Sequence, residues 1–366
     1  MLPFRVEFTE RGLADLQRRL AATRWPSIAR DTGWATGTGD GVLRELVRYW
    51  ARDFDWPAQQ AALNRRHHVR GPIEGEEMHA LVECGPAGRL PILLIHGWPG
   101  SFVEHLDSTR LLAAAGFDAV APSLPGFGLS EEPREPGMSP RRIAERLHQF
   151  MCALGYTRYG VQGGDWGAII GTALARAHPE AVAGLHINFA RVPADLDPES
   201  LTQAEQEWIA FRAAFEREET GYSRIQRTRP QTLGYALNDS PVGLLSWILE
   251  KYWAWTDHDD DLWATLDRDR VLTNVTLYWL TGTALSASRI YYEAEHDPEA
   301  SGSGPMNVPT GYARYPKEPW APPREMVERS YRLTHYADMP VGGHFPAMEQ
   351  PEAFAADVAT FFRGVA

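Results

Sequence analysis

Residues 163–167 read Gly-Gly-Asp-Trp-Gly, a small-x-nucleophile-x-small pattern. Such a pattern presents one side chain on a sharp strand-to-helix turn, with small residues beside it because the two backbones approach closely. A strand-like run, "RYGVQGG", precedes it, and a run of Ala, Ile and Leu suited to a helix follows. Asp165 would then be a carboxylate placed for covalent catalysis. At the helix N-terminus the dipole favours an anion by about 0.3–1 kcal/mol. The same residue could instead do no more than cap the helix, since Asp is among the best N-caps. On this pattern alone both readings stand.

Two further stretches have the spacing to serve such a nucleophile. "HGWPGS" at 96–101 closes the apolar run "LPILLIHG". In folds built on this elbow, that position supplies one backbone N–H of an oxyanion hole, and the residue after the nucleophile supplies the other. Here these are Trp98 and Trp166; the alternative is a plain Gly-Pro turn. "GGHF" at 342–345 follows the last strand-like run and precedes the last helix-like one, where a base belongs. His344 is one of 12 histidines, so an ordinary loop histidine is the competing reading. The three stretches in this order carry more weight than any one alone.

From residue 90 strand-like and helix-like runs alternate: "LPILLIHG", "FDAVAPSLPG", a helix over 139–154, "RYGVQGG", a helix over 166–178, then "VAGLHINF". Such alternation predicts an α/β fold with a mostly parallel sheet flanked by helices. Residues 191–304 break the rhythm and are helix-like and Trp-rich, which predicts a helical cap inserted into the core. The core is expected over 76–190 and 305–366, resuming with "NVPTGYARYP" and "YRLTHYADM" and closing in "PEAFAADVATFFRGV". Residues 1–75 form an N-terminal extension. It has a helix in "FTERGLADLQRRLAATRWP" capped by Thr9 and stopped by Pro26, and a second from about Val42 to Phe54. Two strands are expected in "HHVRGPIEGEEMHALVECG".

The totals of this 366-residue chain limit its partners. A net charge of −12 argues against nucleic acid and anionic membranes, which need basic surface. Cys84 and Cys152 are the only cysteines, which fits a reducing compartment without a disulfide framework. The charged start lacks a secretory h-region, and no apolar run approaches the ~18–20 residues that span a bilayer. A soluble, cytoplasmic chain is expected. All basic residues are Arg except Lys251 and Lys317, a bias that suits a GC-rich, bacterial genome.

The chain resembles the epoxide hydrolases of the α/β-hydrolase fold, in their microsomal and juvenile-hormone branch. The likeness runs through "PFRVEF", "LLIHGWPGSFVEHL", "QGGDWGAIIG", "TGYSRIQRTRPQTLGYALNDSPVGLLSWILEKYWAWTD", "VPTGYARYPKEPW" and "MPVGGHFPAMEQPE". The resemblance implies an α/β-hydrolase fold with a helical cap, and hydrolysis of an epoxide to a vicinal diol. A membrane anchor like that of the vertebrate members is not expected, so the resemblance implies a soluble enzyme. An epoxide has no carbonyl to attack, but a carboxylate can open it by displacement at carbon. The resulting ester is one that water can cleave, whereas serine would leave an inert ether. The resemblance assigns Asp165 as nucleophile and His344 as base. It assigns Glu318, in Pro316-Lys317-Glu318, as the acid orienting that base, with Asp297 and Asp338 as rivals. Tyr222 and Tyr291 become the proton donors, with Tyr292 competing for the second role. Substrate contacts are expected from His96, Pro99 and Trp253.

No cofactor and no metal is expected. "DHDDDLW" at 257–263 reads as solvated helix caps, and His67-His68 as a surface pair lacking a third ligand. "GTGDG" at 37–41 lacks the lysine and context of a phosphate loop. The aromatic cap favours a bulky apolar, aryl or polycyclic small-molecule epoxide, from a foreign compound or a secondary-metabolite precursor such as that of an enediyne. The alternatives are haloalkane dehalogenation by the same ester chemistry and a non-catalytic ligand-binding protein on a hydrolase fold. A serine esterase would need a Ser in the elbow. The N-terminal arm can pack on its own cap or on a neighbour, which leaves a homodimer open.

Overall fold

Two short apolar runs lie at the centre of the sheet, where helices cover both faces. In the computed structural model, which describes residues 1–28, 32–86, 88–192, 200–300, 302 and 306–365, these runs are β4 (Arg89–Ile95) and β6 (Tyr159–Gly163). The others are β1 (Leu2–Phe4), β2 (His68–Ile73), β3 (Glu76–Glu83), β5 (Phe117–Pro122), β7 (Val182–Ile187), β8 (Pro309–Arg314) and β9 (Arg332–Asp338). Among the described residues they form one sheet in the order β1-β2-β3-β5-β4-β6-β7-β8-β9. Every pair from β5 through β9 is parallel, and the β1-β2-β3-β5 side is antiparallel. The chain thus folds as an α/β-hydrolase with the mostly parallel sheet that its alternation predicts.

Strand order reverses beside β4, which pairs with β5 on one edge and β6 on the other. Crevices beyond the carboxyl ends of strands at such a switch point are where open α/β sheets bind ligands. Consecutive residues of β6 face opposite ways: Gly160 lies under Phe362, while Val161 lies against Gly171. The helices Pro351–Val365 and Asp165–Ala177 therefore cover opposite faces of the sheet.

The cap is helical, as expected, running from Gln203–Glu218 through Gly221–Thr228, Pro230–Asp239, Pro241–Trp255, Leu262–Thr265 and Arg268–Thr281 to Ala284–Glu295. Its expected end at 304/305 lies outside the described residues. The N-terminal arm packs on this same chain's cap. Trp50 Nε1 donates to Thr276 Oγ1 at 3.0 Å, Trp34 stacks on Trp253 at 4.3 Å, and Arg19 pairs with Asp239 at 2.9 Å. The first helix is Glu10–Ala21 with Thr9 capping it, and the second, Asp40–Arg52, starts and ends two residues before its expected bounds.

Three features depart from the sequence reading. The 75/76 division falls in the turn between β2 and β3, so by hydrogen bonding β1 and β2 belong to the sheet. A third N-terminal helix, Trp56–Leu63, was not expected; Asp55 caps it through Ala58 N–H at 3.0 Å, but eight residues give little periodicity. His68 is not on the surface. The alternation of β2 turns it inward, with Nδ1 against His79 and Nε2 against the Leu63 carbonyl, both at 2.9 Å. No helix among the described residues is long and apolar enough to cross a membrane.

The ends of β4 and β6 come so close that Gly167 cannot carry a side chain: a Cβ there would overlap the Ile95 carbonyl oxygen. Gly167→Ala should cost about 2–4 kcal/mol, whereas helix propensity alone would predict a gain of about 1 kcal/mol from Gly to Ala. A fall in thermal midpoint checks this; an unchanged or raised midpoint refutes the close packing.

Candidate active site

Register places the first two stretches together. Ile95 pairs with Gly163, so the loops leaving β4 and β6 start side by side. Asp165 sits at φ 48°, a left-handed conformation costly for a residue with a Cβ. Gly164, not Asp165, is the N-cap of the following helix. The Asp165 carboxylate turns away from that role and accepts the Trp98 N–H at Oδ1, 2.8 Å away. Burial raises its proton affinity, while His344 and the backbone N–H groups of Trp166 and Trp98 oppose the rise. Both expected N–H donors therefore bear on this carboxylate.

His344 faces Asp165 from the loop after β9. Its Nε2 is 3.7 Å from Asp165 Oδ2, and its Nδ1 is 2.7 Å from Glu318 Oε2. Glu318 Oε1 accepts the Trp320 N–H at 2.8 Å, which fixes the carboxylate plane. Burial alone would lower the imidazole's pKa, but Glu318 and Asp165 outweigh it and lift it to about 9. The rivals are engaged elsewhere. Asp297 accepts from Ser139 at 2.6 Å, and Asp338 from Tyr336 at 2.6 Å.

Two cap phenols face this pair. Tyr222 stacks on Trp98 with ring centroids 5.2 Å apart, and Tyr291 stands edge-on to Trp166 at 4.7 Å and to Tyr222 at 5.9 Å. The Tyr291 hydroxyl is buried without a hydrogen-bond partner among the described residues. Burial holds the pKa of both phenols high, so they stay protonated. Tyr292 turns the other way and stacks on His296 at 4.0 Å. Of the two adjacent tyrosines, helix phase turns Tyr291 to the cavity and Tyr292 away from it.

The cavity over these groups has a volume of about 910 Å³. Asp165, Trp166, Tyr222, Trp255, Tyr291 and His344 line it, along with charged groups that include Arg191, Arg212, Arg227, Glu216 and Glu295. The three expected substrate contacts are not among its lining residues and need correction. His96 supports the loop instead: its Nε2 accepts from Leu124 N–H at 3.2 Å, so Nδ1 carries the proton toward the Gly97 carbonyl at 3.0 Å. Pro99 follows a cis peptide and gives its carbonyl to Asn274. Trp253 is occupied by its stack on Trp34.

The sequence reading missed the groups that hold His344. Glu349 accepts Gly343 N–H and Asp257 N–H at Oε2 and Phe345 N–H at Oε1, at 2.8, 2.9 and 2.8 Å. The His344 N–H donates to the Trp255 carbonyl at 2.8 Å, and Asp257 Oδ2 accepts the Gly342 N–H at 2.9 Å. Asp257, expected to be a solvated cap, is therefore bound to the histidine loop. The available signal was Glu349's place five residues after His344, in a loop too tight to leave its N–H groups to water. Lys251 was also missed; its ammonium lies 4.3 Å from the Tyr222 ring centroid, a cation–π contact. Among the described residues no group of three or more His, Cys, Asp or Glu is placed to hold a metal.

Comparison with known proteins agrees across the chain. Residues 1–105 match the epoxide hydrolase N-terminus family, and residues 91–223 match the alpha/beta hydrolase fold family. A protein of Stigmatella aurantiaca named as an epoxide hydrolase is 41% identical, over 99% of this chain and 84% of its own. Epoxide hydrolase 1 of Sus scrofa is 34% identical, over 98% of this chain and 88% of its own. The solved Aspergillus niger epoxide hydrolase superposes with a TM-score of 0.89 at 31% identity, covering 100% of this chain and 96% of its own.

Two outcomes follow from the geometry. Glu349→Leu should lose about 3 kcal/mol of stability, because it strands backbone donors in the interior; unchanged denaturant unfolding would show that the clamp is idle. His344 should stay protonated up to about pH 9, and Glu318→Gln should shift that midpoint downward by removing the carboxylate that raises it. Imidazole NMR titration reads both. Because the folded pKa lies above the unfolded one, protonation of His344 stabilises the fold fully below about pH 6.5, and that contribution fades as the pH rises through about 9.

Proposed function

The chain belongs to the epoxide hydrolases of the α/β-hydrolase fold, in their microsomal and juvenile-hormone branch, and from that premise we propose that it works through a covalent ester on Asp165. The supporting observation is the division of labour on one carboxylate. Oδ1 is held by the Trp98 N–H, while Oδ2 faces His344. In the first step Oδ2 attacks an epoxide carbon, the ring C–O bond breaks, and the released oxygen takes a proton from Tyr222 or Tyr291. A positioned acid of this kind contributes roughly 10²–10⁴ in rate.

In the second step water attacks Cγ of the ester and gives a proton to His344 Nε2. The negative charge forms on Oδ1, where the N–H groups of Trp98 and Trp166 receive it; each such donor is worth roughly 3 kcal/mol. Collapse breaks the Cγ–O bond to the substrate, and the leaving oxygen takes the proton from His344. Asp165 leaves this step as the acid, and its proton restores the tyrosine. Glu318 orients the imidazole and balances its charge. Esterification removes the Asp165 charge that helps to hold the His344 pKa up, so the imidazolium gives its proton to solvent before water attacks and takes one back from solvent once Asp165 is again a carboxylate.

A bulky aryl or polycyclic substrate fits the aromatic base of the cavity, where Trp166, Trp255, Tyr222 and Tyr291 offer flat apolar faces. Equal turnover of a small aliphatic epoxide and a styrene-oxide-type one would count against that preference.

The ester is tested with His344→Gln and styrene oxide: intact mass should rise by one substrate, with the adduct mapped to Asp165. A wild type that makes diol while no variant ever yields an adduct would sink the ester route. Single turnover in ¹⁸O-water should label Asp165 before the diol. Tyr291→Phe should slow adduct formation by at least 10²-fold, with Tyr292→Phe near wild type; equal losses would overturn the assignment by helix phase.

A further inference from the structure

One carboxyl beside this machinery has no role in the steps above. Glu104 lies on the 3₁₀ turn Phe102–His105, directly after the loop that carries Trp98. Its side chain folds back over Gly100, where a Cβ would come within 2.7 Å of Glu104 Oε2 and 3.3 Å of the Gly97 carbonyl oxygen. Gly97 in turn lies against the Asp165 side chain, so the two carboxyls flank one short turn. Glu104 makes no side-chain hydrogen bond or ion pair with any described residue, although protein surrounds it. It is only partly buried by accessible surface, so a water-sized molecule can reach it.

One other polar group near this loop also lacks a donor. Asn274 spends its amide N–H groups on the Pro99 carbonyl at 2.8 Å and the Tyr252 hydroxyl at 3.2 Å. Its Oδ1 is buried and unpartnered among the described residues. An unmatched carboxyl that a water-sized molecule can reach calls for an occupant that donates to it, and water is the smallest. Among charged groups His344 acts most strongly on Glu104, followed by Asp165 and Glu349.

We propose that Glu104 is a further catalytic carboxyl, which accepts the second hydrogen of the water that His344 deprotonates. This rests on the ester route. The water gives one proton to His344 Nε2, its oxygen bonds to Asp165 Cγ, and its remaining O–H points to Glu104, which neither gains nor loses a proton. Burial raises the carboxyl's pKa to about 8, His344 opposes the rise, and Asp165 and Glu349 add to it. Esterification of Asp165 removes one of those two charges.

Pre-steady-state kinetics with styrene oxide separates the two steps, with adduct followed by quenched intact mass. Glu104→Ala should form the ester within about 3-fold of the wild-type rate and cleave it roughly 100-fold more slowly, so that adduct accumulates. Added formate should speed cleavage and leave ester formation unchanged. Glu104→Gln, which keeps the shape but not the charge, should slow cleavage about 10-fold, and it decides the matter alone if the Ala variant does not fold. Adduct that is cleaved at the wild-type rate in the Gln variant, or equal slowing of both steps, would overturn the role of Glu104 while leaving the ester intact. Absence of adduct in every variant, His344→Gln included, would instead remove the ester route itself.

Discussion

The hydrogen bond from Trp98 N–H to Asp165 Oδ1 is the contact on which the rest of the site depends. It joins the loops at the ends of the two central strands, and it exists because Ile95 and Gly163 are in register. It also sets the composition of both loops. Gly97, Gly163, Gly164 and Gly167 each lie where a Cβ would run into, respectively, Asp165 itself, the following helix, the Asn188 side chain and the end of β4. The positive φ of Asp165 belongs to the same constraint: a turn that keeps its carboxylate off its own helix must bend the backbone past the usual regions. Strain at residue 165 is thus tolerated where surrounding packing permits no other path.

Around that contact the charges are arranged in series. Glu318, His344 and Asp165 alternate acid, base and acid within 2.7 and 3.7 Å, so the imidazolium is favoured as long as both neighbours are anionic. A histidine held charged is a poor base. On the ester route proposed above, the same geometry would supply the remedy, since Asp165 would become neutral when esterified. The pKa of His344 would then follow the chemical state of Asp165. The phenols are under the opposite pressure: buried and close to Asp165, they resist ionising and remain donors.

Much of this was legible in the chain because it is local. The elbow, the Trp98 loop and the His344 loop are short motifs whose order along the chain matches their order in the fold. The alternating elements between residues 90 and 190 needed only apolar periodicity. What could not be read was set by distant partners or by helix phase. Tyr291 and Tyr292 are adjacent and chemically identical, and only the packing of their helix decides which faces Trp166. His96 and Trp253 suit a substrate pocket by type, yet one is used by Leu124 N–H and the other by Trp34, contacts that span 28 and 219 residues of chain. Glu349 and Asp257 look like ordinary surface acids until the backbone donors they satisfy are seen. β1 is three residues long, too short for any period to register.

The same clamp bears on how the cap can behave. A lid that swings freely should meet the core through side chains that part easily. Here the end of the helix Pro241–Trp255 is bonded to the histidine loop through backbone groups: the Trp255 carbonyl takes the His344 N–H, while Asp257 gives its N–H to Glu349 and its carboxylate takes the Gly342 N–H. Opening there would expose buried donors and unseat the base itself, a cost of about 1–3 kcal/mol for each group left unpaired. The N-terminal arm adds Trp50 and Arg19 to the outer side of the cap. Passage of substrate is therefore easier to reconcile with movement at the far rim, around the helix Gln203–Glu218, than with hinging at the seam. Tyr222 and Tyr291 can then keep station over Asp165 while the rim yields, so that the three side chains hold one fixed geometry.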